Sequence, residues 1–144
     1  MFFVASVIYY DVIIPLSKER FKFSTGGILM EFNEDLQQYV LENENILFAW
    51  DEEPGEDYLE TVKKLTKNYY DQLDSIIEFM LPDLIEMYGP VEPEDVKEKL
   101  GKPLIDHDRG QLMYLDHTFD YEHIFTIEYL DDEFKNLEYF AVDG

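Results

Sequence analysis

Hydrophobic residues form strand-like runs at both ends of the chain and a helical stripe between them. The apolar stretch 2–14 predicts a strand that Pro15 ends, because proline cannot donate to a sheet ladder. The runs 21–25 and 28–32 flank Gly26 and Gly27 and predict a hairpin, since glycine tolerates the positive φ of a tight turn. The short apolar run 46–50 predicts a further strand or a buried connector.

The middle of the chain has the spacing of helices. Asn33 predicts the cap of a short helix that extends to residue 42. Apolar positions three and four residues apart then form one face of a long amphipathic helix: Tyr58, Val62, Leu65, Tyr69, Leu73, Ile76 and Met80. Pro82 predicts a kink in this helix, and Gly89 followed by Pro90 predicts its end. A second, short helix is predicted over 94–100.

The last third returns to strands, over 104–105, 112–115, 121–130 and 134–142, with a two-residue turn at Asp131 and Asp132. The order of strands, helices and strands predicts a single α+β domain over residues 1–144, in which one long kinked helix packs on an antiparallel sheet. The predicted core comprises Val7, Ile8, Val12, Ile14, Val62, Leu65, Tyr69, Ile76, Met80, Phe125, Ile127 and Leu137.

Charge restricts the partners more than the hydrophobic pattern does. The chain has 33 acidic and 11 basic residues, a formal net charge of -22, while 46% of its residues are hydrophobic, which is typical of a folded protein with an acidic surface. Such a surface repels nucleic acids and anionic membranes and attracts basic proteins. With no cysteine, thiolate chemistry and disulfides are excluded, and we expect a cytoplasmic protein. The oligomeric state stays open.

The acidic excess is concentrated in residues 33–60, which contain ten acidic residues and no basic one. We therefore predict a binding face for a basic protein at Trp50, Asp51, Glu52, Glu53 and Glu56, with Trp50 as its aromatic anchor. The alternative for Trp50 is a place in the core beneath the long helix, which is the more frequent environment of tryptophan.

All three histidines lie in one 17-residue window, at His107, His117 and His123. Together with Asp116 they offer the nitrogen and oxygen ligands of a divalent metal site, and hence of a metal-binding protein or a metal-dependent hydrolase. The alternative is a set of turn and strand-end residues, since the spacing matches no known ligand signature. No nucleophile elbow or phosphate-binding loop is present, so no residue is assigned a catalytic role and a non-enzymatic function is favoured.

The carboxy-terminal third has a resemblance to known proteins. The segment LDHTFDYEHI at 115–124, with LDDEF at 130–134 and the final Asp143 and Gly144, resembles small acidic bacterial proteins of unassigned function, some of which are similar to immunity proteins that neutralise toxins. The resemblance implies a non-enzymatic, cytoplasmic, protein-binding role and assigns no individual residue. A third interpretation is that the acidic residues serve only solubility.

Overall fold

The computed structural model describes the backbone of residues 20–22 and 29–144 and the side chains from Met30 onward. The strand predicted over 2–14, with its four core positions, and the turn at Gly26 and Gly27 lie outside these residues. The described part contains eight strands and two helices: β1 Arg20–Lys22, β2 Leu29–Asn33, β3 Gln38–Asn43, β4 Ile46–Trp50, α1 Tyr58–Tyr88, α2 Pro93–Leu100, β5 Pro103–Asp106, β6 Gln111–Tyr114, β7 Ile124–Tyr129 and β8 Leu137–Asp143.

The strands form one sheet in chain order from β1 to β8, so the mixed α and β composition is confirmed. Every neighbouring pair is antiparallel except β4 and β5, which are parallel. The prediction of a purely antiparallel sheet is therefore wrong at this pair. The reason is that α1 and α2 return the chain to the starting end of β4 before β5 begins, which is the connection that parallel neighbours require.

One row of side chains crosses the sheet and forms the centre of the core. The strand register aligns one residue from each of β2 to β8: Met30, Leu41, Phe48, Ile105, Leu112, Ile127 and Phe140. The first six are at most 1% exposed. Helix α1 contributes Val62, Leu65 and Ile76 to the same buried cluster. The sheet therefore has one face toward the helices. The residues that alternate with this row along each strand, such as Leu104 and Asp106 on either side of Ile105, point to the opposite face.

The predicted stripe of the long helix is confirmed. Of its seven positions all are buried except Leu73, which is half-buried, and Leu137 in the predicted core is also half-buried. Helix α1 has 31 residues and continues through Pro82, so the kink there stays a prediction. The helix ends at Tyr88, before Gly89, whose φ of 90° is accessible mainly to glycine. No helix among the described residues is both long and apolar enough to cross a membrane.

The short helix predicted from Asn33 is wrong, because residues 34–37 form a turn between β2 and β3. The Asn33 side-chain oxygen accepts a hydrogen bond from the backbone N–H of Leu36 at 2.9 Å, the same local bond that a helix cap makes. Gln37 then has a φ of 57°, which turns the chain back into β3 instead of continuing a helix. The cap was recognised correctly, but it closes a turn.

Two buried tyrosines join the helix to the sheet. The hydroxyl groups of Tyr69 in α1 and Tyr114 in β6 lie 2.8 Å apart and form a hydrogen bond, and the two residues are 3% and 0% exposed. Burial raises the pKa of both phenols. Each hydroxyl therefore depends on the other for a partner within the core.

We expect Tyr114→Phe to lower the free energy of unfolding by about 1–3 kcal/mol, because it leaves the buried Tyr69 hydroxyl without its partner. The double substitution Tyr69→Phe with Tyr114→Phe removes both polar groups and should cost less than the sum of the two single changes. Urea denaturation of the four proteins completes the cycle. Additive losses in the double variant would contradict this coupling.

Candidate protein-binding face

Four loops meet at one end of the sheet, where β2, β4, β5 and β7 finish. They span residues 34–37, 51–57, 107–110 and 130–136. The register places them together, since Tyr39 pairs with Trp50, Ala49 with Asp106, and Gln111 with both Asp106 and Glu128. We call these four loops the acidic rim.

The acidic rim contains eleven acidic residues and two basic ones, Arg109 and Lys135. The described loops at the other end of the sheet, 44–45, 101–102 and 115–123, contain four acidic residues and one basic one. The charge excess is therefore polarised toward one end of the fold. At that end the potentials of neighbouring loops add over a continuous surface.

Neighbouring loops of the rim are joined by a ring of hydrogen bonds. The side-chain amide of Gln38 donates to Asp106 at 3.0 Å and to Asp51 at 3.1 Å. The guanidinium of Arg109 donates to the same two carboxylates at 2.7 and 2.9 Å, and these bonds raise the pKa of Arg109, the one to Asp106 most. The backbone N–H of Asp51 also donates to Asp108 at 3.1 Å. These contacts hold two of the rim's loops, 51–57 and 107–110, in fixed positions relative to the first residue of β3 and the last residue of β5.

Buried Asp106 is the centre of this ring. Its side chain is 5% exposed, and it accepts hydrogen bonds from Gln38 and from both the side chain and the backbone N–H of Arg109. A carboxylate that is removed from water needs such compensation, since an unpaired buried charge is strongly unfavourable. These hydrogen bonds are therefore needed to keep the Asp106 carboxylate buried, and they also fix the charged groups around it in place.

The fourth loop is organised by Asp131. Its carboxylate accepts hydrogen bonds from the backbone N–H groups of Glu133, Lys135 and Asn136, at 2.8, 3.2 and 2.8 Å. Burial alone would raise the pKa of Asp131, but these hydrogen bonds outweigh it and lower the pKa. The predicted two-residue turn is thus a seven-residue loop with an ordered backbone.

The sequence-predicted binding residues fall into two groups. Asp51, Glu52, Glu53 and Glu56 are exposed on the acidic rim. Trp50 is only 6% exposed and packs edge-on against Tyr58, with ring centroids 6.0 Å apart. Trp50 therefore occupies the core, which was the alternative interpretation, and it is not available as an exposed anchor in this structure. The reason is that it shares the core-facing side of β4 with Ile46 and Phe48.

The candidate metal ligands are not assembled around one point. His107 lies in the loop after β5, 3.5 Å from Asp132, whereas His117, His123 and Asp116 lie in the loop after β6, at the opposite end of the sheet. Among the described residues, which include all four candidates, no group of three His, Asp or Glu side chains could hold a metal ion. The metal site stays a hypothesis that metal analysis of untagged protein would decide.

His117 has a structural role in the core. It is 3% exposed and stacks on Phe125 with ring centroids 3.8 Å apart. Its Nδ1 accepts from the backbone N–H of Phe119 at 3.2 Å, so its Nε2 carries the proton and donates to the carbonyl of His123 at 2.7 Å. Both ring nitrogens are thus occupied, and a metal would have to displace one of these bonds.

Asp120 organises the same loop; the sequence marks it only as one of the aspartates near the three histidines. It accepts from the hydroxyl of Tyr88 at 2.5 Å and from the Nδ1 of His123 at 2.7 Å, and these bonds, the tyrosine's first, lower the pKa of Asp120. Its other oxygen accepts the backbone N–H groups of Glu122 and His123, both at 3.0 Å. The hydrogen bond from Tyr88 to Asp120 connects the loop to the end of α1, and the Asp120–His123 pair closes the loop on itself.

Comparison of the chain with protein-family models, with curated proteins and with solved structures finds no match. The resemblance of the carboxy-terminal third to immunity-like proteins accordingly stays a prediction. Support for a function comes from the geometry and charge of the described residues, above all those of the acidic rim.

Proposed function

We propose that this protein is a non-enzymatic module that binds a basic protein through the acidic rim and, by analogy with immunity proteins, inhibits it. The observation that supports this most is the excess of eleven acidic over two basic residues on four adjoining loops. The proposal places the protein in the cytoplasm, in agreement with its lack of cysteine.

A basic protein fits this surface better than other classes of partner. Phosphate backbones and anionic lipid head groups carry the same sign of charge as the rim and are repelled. A cationic protein is attracted over a Debye length, about 8 Å at physiological ionic strength. Such steering raises the association rate of complementary surfaces and makes it sensitive to salt.

The rim also has the fixed geometry that a specific interface needs. Asp51 and Asp106 are held by Gln38 and Arg109, and Asp131 holds its own loop. Loops that are ordered before binding lose less conformational entropy when a partner arrives. Glu52, Glu53 and Glu56 are exposed, and none of them has an ion pair within the described part of the chain. Their charges are therefore open to a partner.

The test replaces these three charges and compares the result with an equal change elsewhere. The rim variant is Glu52→Gln with Glu53→Gln and Glu56→Gln. The control is Glu78→Gln with Glu86→Gln and Glu98→Gln, three exposed positions on α1 and α2. Both variants have the same net charge. We expect wild type and control to retain the same basic protein from a low-salt extract of the native host, and the rim variant to lose it.

The association rate constant is then measured with the purified partner. The association rate constant of the rim variant should fall about tenfold or more at low salt, while the control changes less, since steering depends on charges near the interface. If the two variants lose binding equally, the rim has no special role. If wild type retains no basic protein at all, the acidic residues serve solubility and the proposal is wrong.

A further inference from the structure

A groove lies on the face of the sheet that points away from the helices. It has a volume of about 460 Å³ and begins at the acidic rim, where Asp51, Asp106 and Arg109 line it. From there it follows β5 and β6 along Leu104 and Met113, which pair with each other in the sheet register. The groove is therefore an extension of the rim onto the sheet.

The two ends of the groove differ in chemistry. The far part is apolar, with Leu104, Met113, Leu115 and Ile124 in its wall. The near part is polar, and Gln38 and Gln111 accompany the carboxylates there. A long side chain with an aliphatic stem and a cationic head has the same division, since arginine and lysine place their methylene groups on apolar surface and keep the charge at a polar end.

The charge at the near end is only partly compensated. Three carboxylates, those of Asp51, Asp106 and Asp108, lie close together there. Arg109 donates to Asp51 and Asp106, Asp108 accepts from the backbone N–H of Asp51, and Arg109 is the one cation bonded to any of the three within the described residues. The second oxygen of Asp51 makes no hydrogen bond in this part of the structure. Arg109 fixes the carboxylates in place, and two negative charges remain for a second cation.

We propose that this groove is the socket for an arginine side chain of the basic partner, an inference that rests on the proposed function. The stem would lie on half-buried Met113, and the guanidinium would bind the second carboxylate oxygen of Asp51 beside Arg109. Asp108 does not line the groove but lies next to Asp51, whose backbone N–H it accepts. Arginine suits the site better than lysine because its planar group donates several hydrogen bonds in fixed directions to adjacent carboxylates. A second copy of this chain is disfavoured, since two surfaces of the same acidic charge repel each other.

The test uses N-acetyl-arginine amide as the probe, with no partner present. Its matched control is N-acetyl-citrulline amide, which has the same shape but no charge. Titration of the ¹⁵N-labelled protein at constant ionic strength should move the side-chain amide signals of Gln38 and Gln111 and the backbone signal of Asp51 with the arginine probe alone. Methylguanidinium, which lacks the stem, should bind about fourfold more weakly for each CH₂ that the arginine probe buries.

Two protein variants with equal charge locate the site. Asp51→Asn removes a charge from the groove, and Asp83→Asn removes one from the exposed surface of α1. We expect Asp51→Asn to weaken the probe about three- to fivefold, as for a solvent-accessible ion pair. Asp83→Asn should leave the affinity unchanged.

Equal shifts with the citrulline and arginine probes would overturn the proposal. So would equal weakening by the two variants, or shifts scattered over the acidic surface with none at Gln38 and Gln111. Failure of the arginine probe to bind the groove would not contradict the proposed function. That function is tested separately, with the partner and the three glutamate substitutions. Conversely, probe binding should survive in the Glu52→Gln, Glu53→Gln, Glu56→Gln variant, because those residues do not line the groove.

Discussion

Replacing Phe125 with alanine is expected to lower the free energy of unfolding by about 3–5 kcal/mol. Phe125 is fully buried in β7, and four aromatic rings surround it: His117, Tyr88, Phe119 and Phe140. His117 lies parallel to it with centroids 3.8 Å apart, so removal of the ring leaves a cavity and also frees one face of a buried histidine. The loss is large because these neighbours come from α1, β8 and the loop before β7 and cannot all move inward together.

Tyr121→Ala, in the loop before β7, is the control for Phe125→Ala. Tyr121 is 91% exposed, so its removal should change the stability by less than about 0.5 kcal/mol. Urea denaturation with one probe of the helix and one of the aromatic environment measures both variants. If Phe125→Ala cost no more than Tyr121→Ala, the aromatic cluster would not be part of the cooperative core.

Long-period patterns predicted the fold best. The stripe from Tyr58 to Met80 repeats over more than five turns, so its helical period could not be confused with a strand. The segment after Asn33 was too short for such a decision: Leu36, Tyr39 and Val40 have helical spacing, whereas Tyr39 and Leu41, two residues apart, also suit one face of a strand. The positive φ of Gln37 makes this segment a turn followed by a strand. Glutamine has no particular preference for that conformation, so the sequence did not indicate it.

The parallel pair left a signal that the sequence analysis did not use. Residues 46–50 are a continuous apolar run, which is typical of a strand that is covered on both faces, as central parallel strands are. In the structure β4 lies between β3 and β5, and all of its residues are buried except Leu47, which is half-buried. The run therefore indicated a central strand, with the two helices as its crossover connection.

The acidic part of the candidate site was predictable and its organisation was not. A run without basic residues marked Asp51, Glu52, Glu53 and Glu56 directly. The connection of Asp51 to Arg109, and through Arg109 to Asp106, depends on residues far apart in the sequence, since the bond between Asp51 and Arg109 joins positions 58 residues apart. A single acidic residue at the end of a buried strand, as Asp106 is, was the one local indication that a counter-charge had to lie nearby.

The protein is expected to unfold cooperatively between about pH 11 and 13 because of its buried tyrosines. Tyr58, Tyr69, Tyr114 and Tyr129 are at most 7% exposed. Burial raises the pKa of all four, that of Tyr58 to about 12, and acidic neighbours such as Glu53 for Tyr58 and Asp132 for Tyr129 raise it further. Below pH 10 these phenols are protonated in both the folded and the unfolded chain, so their contribution to stability is complete there.

Above the ordinary tyrosine pKa of about 10 the unfolded chain releases these protons and the folded protein retains them. The unfolded state then binds fewer protons, and stability falls as the pH rises. Each such tyrosine lowers the free energy of unfolding by about 1.4 kcal/mol per pH unit, and four together lower it by about 5–6 kcal/mol per unit. Since domains of this kind have a total stability of about 5–15 kcal/mol, about one to three units above pH 10 are sufficient to unfold it.

The measurement follows tyrosinate absorbance and far-ultraviolet circular dichroism in one alkaline titration, and the two should change together in a steep transition. The double variant Tyr69→Phe with Tyr114→Phe retains two of the four buried phenols. Its stability should fall about half as steeply with pH, and its transition should lie at higher pH. Absorbance that rises gradually from about pH 10 while the circular dichroism stays constant would contradict the prediction, because it would mean that these phenols ionise freely within the folded protein.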